Sequence, residues 1–267
     1  MSDFLAVCEQ AARAGGAALQ KWVNRVTAQE KGPKDMVTEA DFASQQAIRE
    51  VVLSAFPEHR FLGEERDEAQ ERAVAPTGRL GDGDYRWIVD PLDGTLNFIR
   101  SLPSYAVSVA VERGGELLVG VVFDPMLDEC FTAAAGCGAF LNGKPIRPSR
   151  CRSLPQALVA VSFSANVPRD SVEIRRFVEI LQASQSMRRS GSAALNLCYV
   201  GCARLDAYFA SSLYVWDVGA GVLVAREAGA TVTSIMGHTF DLRRPDLAIA
   251  ATADLHAELL QALARAE

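Results

Sequence analysis

The stretch at residues 87–98, W-I-V-D-P-L-D-G-T-L-N-F, sets the tightest limit on how this chain can fold. Trp87, Ile88 and Val89 make an apolar run long enough only for the end of a buried strand. Pro91 has no N–H to give a ladder, so the strand is predicted to stop at Asp90. Gly94 lets another group approach the main chain closely, and Thr95 can open a helix whose first amides have no internal acceptors and carry partial positive charge. Such an end suits a phosphate. Asp90 and Asp93 beside it would repel that phosphate unless a cation lay between them, and hard oxygen donors at a phosphate site favour Mg²⁺ over zinc.

Composition narrows the class of chain without naming a function. The 267 residues suffice for one large domain or two closely packed halves, and 49% hydrophobic with 22% charged residues is ordinary for a globular protein. A net charge of −6 gives no electrostatic reason to expect a nucleic-acid or anionic-membrane partner. The first ten residues carry acids where a secretory signal carries positive charge, and no apolar run reaches membrane-spanning length, so a cytoplasmic location is expected. Cys8, Cys130, Cys137, Cys151, Cys198 and Cys202 contain no C-x-x-C pair and are read as reduced and mostly structural. The three histidines, His59, His238 and His256, stand beside no nucleophile, which argues against Ser-His-Asp or Cys-His chemistry.

Taken in order, residues 4–26 show helical periodicity interrupted by Gly15-Gly16, where close packing is expected, and residues 31–35 form a polar turn. Thr38 followed by Asp41 reads as a helix start, with the helix ending at Pro57; Asp41 there could be no more than a charge favouring the helix dipole. Residues 60–65 read as a strand running into Glu64 and Glu65, and residues 66–86 as a surface excursion. An antiparallel meander is predicted over residues 105–134, with a turn at Gly114-Gly115, and a further tight turn is expected beyond it at Asn142-Gly143. The Pro- and Arg-rich residues 144–155 are the best boundary, dividing the chain into an α+β half (1–147) with most metal ligands and an α/β half (148–267) completing the site.

Past that boundary, strands and helices alternate: a strand over 158–163, a helix over 171–183, a Gly-Ser turn opening a helix near residue 192, and a strand over 206–210. A strongly apolar helix then begins at Asp217, followed by a strand over 247–251 and a helix over 253–264. The turn near residue 192 is either a second set of amide donors or an ordinary connection. Asp217 is either a helix cap or a buried acid in need of a partner. Glu64, Asp90, Asp93 and Asp217 all adjoin hydrophobic elements expected to be buried. Four buried acids cannot all stay ionised without cations, and two Mg²⁺ ions sharing Asp90 would form a clamp for phosphoryl transfer.

These motifs resemble the inositol monophosphatase family of magnesium-dependent, lithium-sensitive phosphatases. The likeness spans nearly the whole chain: G-E-E at Gly63, the 87–98 stretch and W-D-V-G-A-G at Trp216, supported by D-M-V-T-E-A-D at Asp35 and G-S-A-A at Gly191. It implies an α+β fold, an alternating αβαβα layered sandwich. It implies metal ligation by Glu64, Asp90, the Leu92 carbonyl, Asp93 and Asp217, with two or three Mg²⁺ ions. It further implies an Asp41–Thr95 dyad that deprotonates a metal-activated water, assisted by Glu65. Phosphate would rest on the Gly94 and Thr95 amides, with Asp93, Gly191, Ser192, Ala193 and Asp217 also touching the substrate, and a homodimer is implied.

The expected reaction is hydrolysis of a small polyol or sugar phosphate, inositol 1-phosphate first among the candidates. Fructose 1,6-bisphosphate, adenosine 3′,5′-bisphosphate, histidinol phosphate and NADP are alternatives, as is a non-catalytic regulatory binding module. Where inositol-specific members carry a glutamate seven residues before the W-D aspartate, this chain has Ala210, whose methyl accepts no hydrogen bond. Haloacid-dehalogenase-like phosphatases carry D-x-D-G-T and use the first aspartate as nucleophile; the D-x-x-D-G-T spacing here disfavours that class.

Overall fold

Helix α1 (Ser2–Gln20) turns Cys8, Ala11, Ala12 and Leu19 inward, with Gly15 and Gly16 on the same buried face. Both glycines mark close packing, as expected: a Cβ on Gly15 would lie 2.8 Å from Ile48 Cδ1, and one on Gly16 would lie 2.6 Å from the Phe123 ring. In the computed structural model, which describes residues 2–27, 29–32, 35–65 and 84–266, α1 ends six residues earlier than its periodicity predicts. The Lys21 and Trp22 amides turn back to carbonyls three residues earlier, and Asn24 takes a left-handed φ of 61°. Trp22 and Val23 still pack on the same core, so the pattern recorded burial beyond the point where the helix stops.

Strands β1 (Gln29–Gly32) and β2 (Asp35–Val37) pair antiparallel; Pro33 and Lys34 of the expected polar turn lie outside the described residues. Helix α2 (Glu39–Ala55) starts where Thr38 Oγ1 accepts from the Ala40 amide at 3.1 Å and ends just before Pro57, as the sequence indicates. The excursion predicted at 66–86 falls, over 66–83, outside the described residues, while Tyr85 and Arg86 belong to a strand.

A seven-stranded sheet follows the order of the chain: β3 (Arg60–Gly63), β4 (Tyr85–Asp93), β5 (Ala106–Arg113), β6 (Glu116–Asp124), β7 (Glu129–Ala134), β8 (Ala139–Leu141) and β9 (Lys144–Pro145). The β3–β4 pair is parallel and all later pairs are antiparallel. The predicted meander is therefore present, with positive φ at Gly114, Gly115, Asn142 and Gly143 in its turns. One expectation fails. β4 does not stop at Asp90 but continues to Asp93, because a bulge places Asp90 opposite Ser108 and Asp93 opposite Ala106. Pro91 sits in that bulge and owes the ladder no N–H.

The five-stranded sheet has the order β11-β10-β12-β14-β13, built from β10 (Leu158–Ser162), β11 (Ser186–Arg188), β12 (Ala207–Ala210), β13 (Thr231–Thr233) and β14 (Leu247–Ala250). Strand β13, too short to show a period, was not anticipated. Between the strands run α3 (Thr95–Ile99) and α4 (Val172–Ala183), then α5 (Ala193–Gly201), α6 (Val215–Ala228) and α7 (Ala253–Arg265).

Three hydrophobic cores separate five layers. The first joins α1 and α2 to the seven-stranded sheet; the second lies around α5 and α6, between the sheets; the third joins the five-stranded sheet to α4 and α7. This is the expected αβαβα sandwich. It also explains why α6 is apolar nearly all round, since a helix between two sheets has no wet face. Close contact there depends on small residues: a Cβ on Gly120 of β6 would lie 2.8 Å from the Ala220 carbonyl oxygen. Each fully buried Val or Leu of α6 contributes roughly 1.5–3 kcal/mol of apolar transfer. All six cysteines are unpaired, and Cys8, Cys130 and Cys198 are buried. Among the described residues no helix is long and apolar enough to cross a membrane.

Candidate active site

The bulged end of β4, the start of α3, the end of β3 and the N-terminal turns of α2, α5 and α6 meet at one end of the layers. Asp90 and Asp93 are buried, at 1% and 8% exposure. Glu64 and Asp217 are half-buried and, with Asp93, line a cavity of about 490 Å³. The four acids therefore come together, although only two of them are as buried as their flanking sequence implied. Burial pushes the Asp90 carboxyl well above the usual carboxylate range, and the charges of Glu64, Asp93 and Asp217 push it further.

Asp93 is also pushed up by burial, to about 6, against the pull of three donors. Ser192 Oγ donates to Asp93 Oδ2, as does the Ala194 amide at 2.8 Å, while the Ala193 amide reaches Oδ1 at 3.2 Å. The second set of amide donors weighed from sequence thus exists, but its acceptor is Asp93. Ser192 is fully buried, with its hydroxyl on Asp93, whereas its neighbours Gly191 and Ala193 line the cavity. Asp217 accepts from the Tyr214 amide at 2.7 Å and so also caps α6. Leu92 presents its carbonyl to Thr95 Oγ1 at 3.1 Å, and its amide donates to Asp90 Oδ1 at 3.0 Å.

Asp41 joins the helix-cap role weighed from sequence to a second contact. Its Oδ2 accepts from the Thr38 amide at 2.8 Å and from Thr38 Oγ1 at 2.6 Å. Its Oδ1 faces Thr95 Oγ1 at 3.2 Å. Gly94, before Thr95, has a φ of +96°, and a Cβ there would lie 2.9 Å from the Ser104 carbonyl oxygen. Only glycine makes this turn without strain.

Several supporting residues gave no sequence signal. Gln45 stands one turn beyond Asp41, accepts from the Glu65 amide at 3.0 Å and donates to the Glu65 carbonyl at 2.5 Å. Glu65 is thereby held in a buried position, at 3% exposure. The helical spacing of Asp41 and Gln45 was the one available hint. Ser44 Oγ donates to the Pro91 carbonyl at 2.8 Å, and Asn97 Nδ2 donates to the carbonyls of Ser104 and Ser190 at 2.6 and 2.8 Å. Asn97 so fixes the turn that carries Gly191. Across the cavity lie Phe163, with Arg189 5.6 Å above its ring, and Tyr214, stacked on Trp216 at 4.9 Å. Ala210 is buried at the end of β12, beside Ser162.

The donor set fits a hard divalent cation. Glu64, Asp90, Asp93 and Asp217 supply only oxygen, and a cation would relieve the burial cost and the repulsion that push Asp90 up. Among the described residues no three Asp, Glu, His or Cys side chains form a closed ion-binding group as they stand. Asp93 and Asp217 each also accept hydrogen bonds from backbone amides. Since each carboxylate oxygen has two lone-pair directions, those bonds are compatible with ligation.

A five-layered α+β sandwich with converging acids at a strand-to-helix turn defines a class of phosphate-handling proteins, and comparison with known sequences places the chain within it. The sequence model of the inositol monophosphatase family matches residues 1–267, and the chain belongs to that family. It is 37% identical to the fructose-1,6-bisphosphatase/inositol-1-monophosphatase of Aquifex aeolicus, over 98% of this chain and 95% of that one. It is 36% identical to Nus factor SuhB of Escherichia coli K12, over 99% and 100%. Among solved structures, the extragenic suppressor protein suhB of Bartonella henselae superposes with a TM-score of 0.87 at 34% identity, covering 98% of each chain.

Proposed function

We propose that this protein is a Mg²⁺-dependent phosphomonoesterase acting on a small polyol or sugar phosphate. The observation that carries the reading is the Asp41–Thr95 contact, together with four carboxylates of which Glu64, Asp93 and Asp217 line a cavity large enough for a sugar phosphate. Glu64, Asp90, the Leu92 carbonyl, Asp93 and Asp217 would hold Mg²⁺, which when bound neutralises phosphate charge and stabilises the leaving oxygen. The amides of Gly94 and Thr95 hold the phosphate. Thr95 Oγ1 takes a proton from a water placed in line with phosphorus as its own proton passes to Asp41 Oδ1, while the two Thr38 donors fix the carboxylate from behind. The new bond joins the water oxygen to phosphorus, the phosphorus–alcohol bond breaks, and the alcohol oxygen takes a proton from solvent. Glu65, held by Gln45, supports the dyad.

Among substrates, inositol 1-phosphate is one candidate. The buried methyl of Ala210 argues against strong selectivity for it over other polyol phosphates. A relative that bears the name Nus factor along its full length favours a second reading, in which the chain also serves as a regulatory factor. The presence of every acid of the site supports retained hydrolysis. The deciding experiment is phosphate release from inositol, sugar, nucleotide and amino-alcohol phosphates, with and without Mg²⁺ and with added Li⁺. We expect Mg²⁺-dependent, Li⁺-inhibited release from several polyol esters within a narrow range of kcat/KM. Absence of release from every ester, or a phospho-aspartate trapped at Asp90, would overturn the reading.

A further inference from the structure

Glu173, in the first turn of α4, is 9% exposed, and among the described residues its partners are hydroxyls and one amide, with no cation. Its Oε2 accepts from Ser164 Oγ at 2.8 Å. Its Oε1 accepts from Ser211 Oγ at 2.9 Å, Ser212 Oγ at 3.0 Å and, more weakly, the Ser164 amide at 3.4 Å. Ser164 lies in the loop after β10 and the other two serines in the loop after β12. One carboxylate thus ties together two loops that border the cavity, and both Ser164 and Ser212 line it.

The chemistry of this cluster is directional. A serine hydroxyl has one hydrogen to give and two lone pairs with which to accept, whereas an ionised carboxylate only accepts. Burial pushes the Glu173 carboxyl up, but the hydroxyls of Ser164, Ser211 and Ser212 pull it below its usual range, so it is ionised at neutral pH. Each serine must therefore turn its hydrogen toward Glu173. Ser164 also has the Asn166 carbonyl at 3.4 Å, but a charged acceptor at 2.8 Å outcompetes a neutral one at that distance. What Ser164 and Ser212 have left for the cavity is lone pairs. At the end of the neighbouring strand, Ala210 offers only a methyl.

We propose that Glu173 is a positioning residue for specificity: by fixing Ser164 and Ser212 as acceptors, it makes the alcohol side of the cavity select phosphate esters whose alcohol carries hydroxyl or amino donors. This deepens the hydrolase reading above and rests on it for the placement of the phosphate. A mere loop staple would need the hydrogen bonds but would not discriminate between alcohols of one shape.

Glycerol 2-phosphate and 2-propyl phosphate test this, because they share a carbon skeleton and differ only in two hydroxyls. In the Mg²⁺-loaded full-length protein, Glu173→Gln is close to isosteric but brings two N–H donors, so at least one serine must reverse its hydroxyl. We expect KM for glycerol 2-phosphate to rise about tenfold, the scale of one hydrogen bond, with kcat little changed and 2-propyl phosphate unaffected. Ser164→Ala and Ser212→Ala should each lose part of the same preference, and they carry the test if the Gln variant fails to fold.

A Glu173→Gln variant that alters both esters alike, or neither, would overturn the proposal. Dissociation constants for both esters, measured by calorimetry, separate the two readings. Glu173-dependent preference for the glycerol ester without turnover would remove the hydrolase reading and keep this one. A wild-type protein that binds the two esters equally would overturn this one even if both are hydrolysed.

Discussion

Thr95 Oγ1 and Asp41 Oδ1 stand 3.2 Å apart although 54 residues separate them in the chain. The contact joins the first turns of α2 and α3, and it gives a threonine at a helix start a partner beyond its own helix. Because Leu92 O lies 3.1 Å from the same hydroxyl, the Thr95 proton has two acceptors, and in the proposed mechanism only the bond to Asp41 would help remove a proton from water.

Replacement of Thr95 by Ala should therefore lower kcat about 10²–10⁴-fold, the range for loss of one positioned proton acceptor. Thr95→Ser, which keeps the hydroxyl, should recover most of the rate. Steady-state phosphate release at saturating Mg²⁺ measures both, and full activity in the Ala variant would remove the dyad from the mechanism.

Asp90 carries an electrostatic cost in the metal-free protein. Its carboxyl is pushed up by burial and by three neighbouring acids, so Asp90→Asn should raise the thermal midpoint of the metal-free protein. If Asp90 is a ligand as proposed, the same variant should lose the stabilisation expected of Mg²⁺ in the wild type, which at a hundredfold excess over Kd is about 2.7 kcal/mol. Thermal melts with and without Mg²⁺ read both effects. An Asn variant still stabilised as strongly by Mg²⁺ would contradict the ligand assignment.

Gly63 is small because Gln45 needs the space. A Cβ at that position would overlap the Gln45 amide, which holds Glu65 through two hydrogen bonds. We predict that Gly63→Ala costs about 1–3 kcal/mol in urea unfolding, the usual range for overpacking, and lowers kcat. Gln45→Ala should lower kcat without the steric cost, and unaltered phosphate release in both variants would show that Glu65 needs no clamp.

His256 makes stability depend on pH at the far side of the molecule. Burial pushes its imidazole below the ordinary value of 6.5, against a hydrogen bond to the Ala248 carbonyl at 3.2 Å. Below pH 6.5 the unfolded chain binds this proton more readily than the folded one. The contribution is therefore fully present above 6.5 and is lost as pH falls through the lower, folded value. Melting of the wild type between pH 7.5 and 5 should fall more steeply than that of His256→Gln, and parallel profiles would refute the assignment.

Much of the layered fold and the four acids that converge at the candidate site were legible in the sequence, because they sit where hydrophobic periodicity ends abruptly. Asp90 follows a buried run, Glu64 follows a short strand and Asp217 opens an apolar helix. What escaped was set by contacts between distant segments. Nothing local in T-L-N-F says that Asn97 will tie α3 to the turn before α5, and nothing near Glu173 says that three serines will converge on it. The early end of α1 was missed for a different reason: Trp22 and Val23 keep their place in the core after the backbone has left the helix, so burial and helicity part company there.

The bulge in β4 has a consequence of phase. Side chains along a strand alternate between faces, so acids three positions apart would ordinarily point to opposite sides. Their partners Ser108 and Ala106 are two apart on β5 and share a face, and the bulge in β4 keeps Asp90 and Asp93 on one side with them. Loss of a single residue from the Pro91-Leu92 step would remove the bulge and leave the two acids two positions apart in a regular strand, still on one face. The extra residue therefore sets not the face that the acids share but their distance along the strand and the local bend that leads into Gly94.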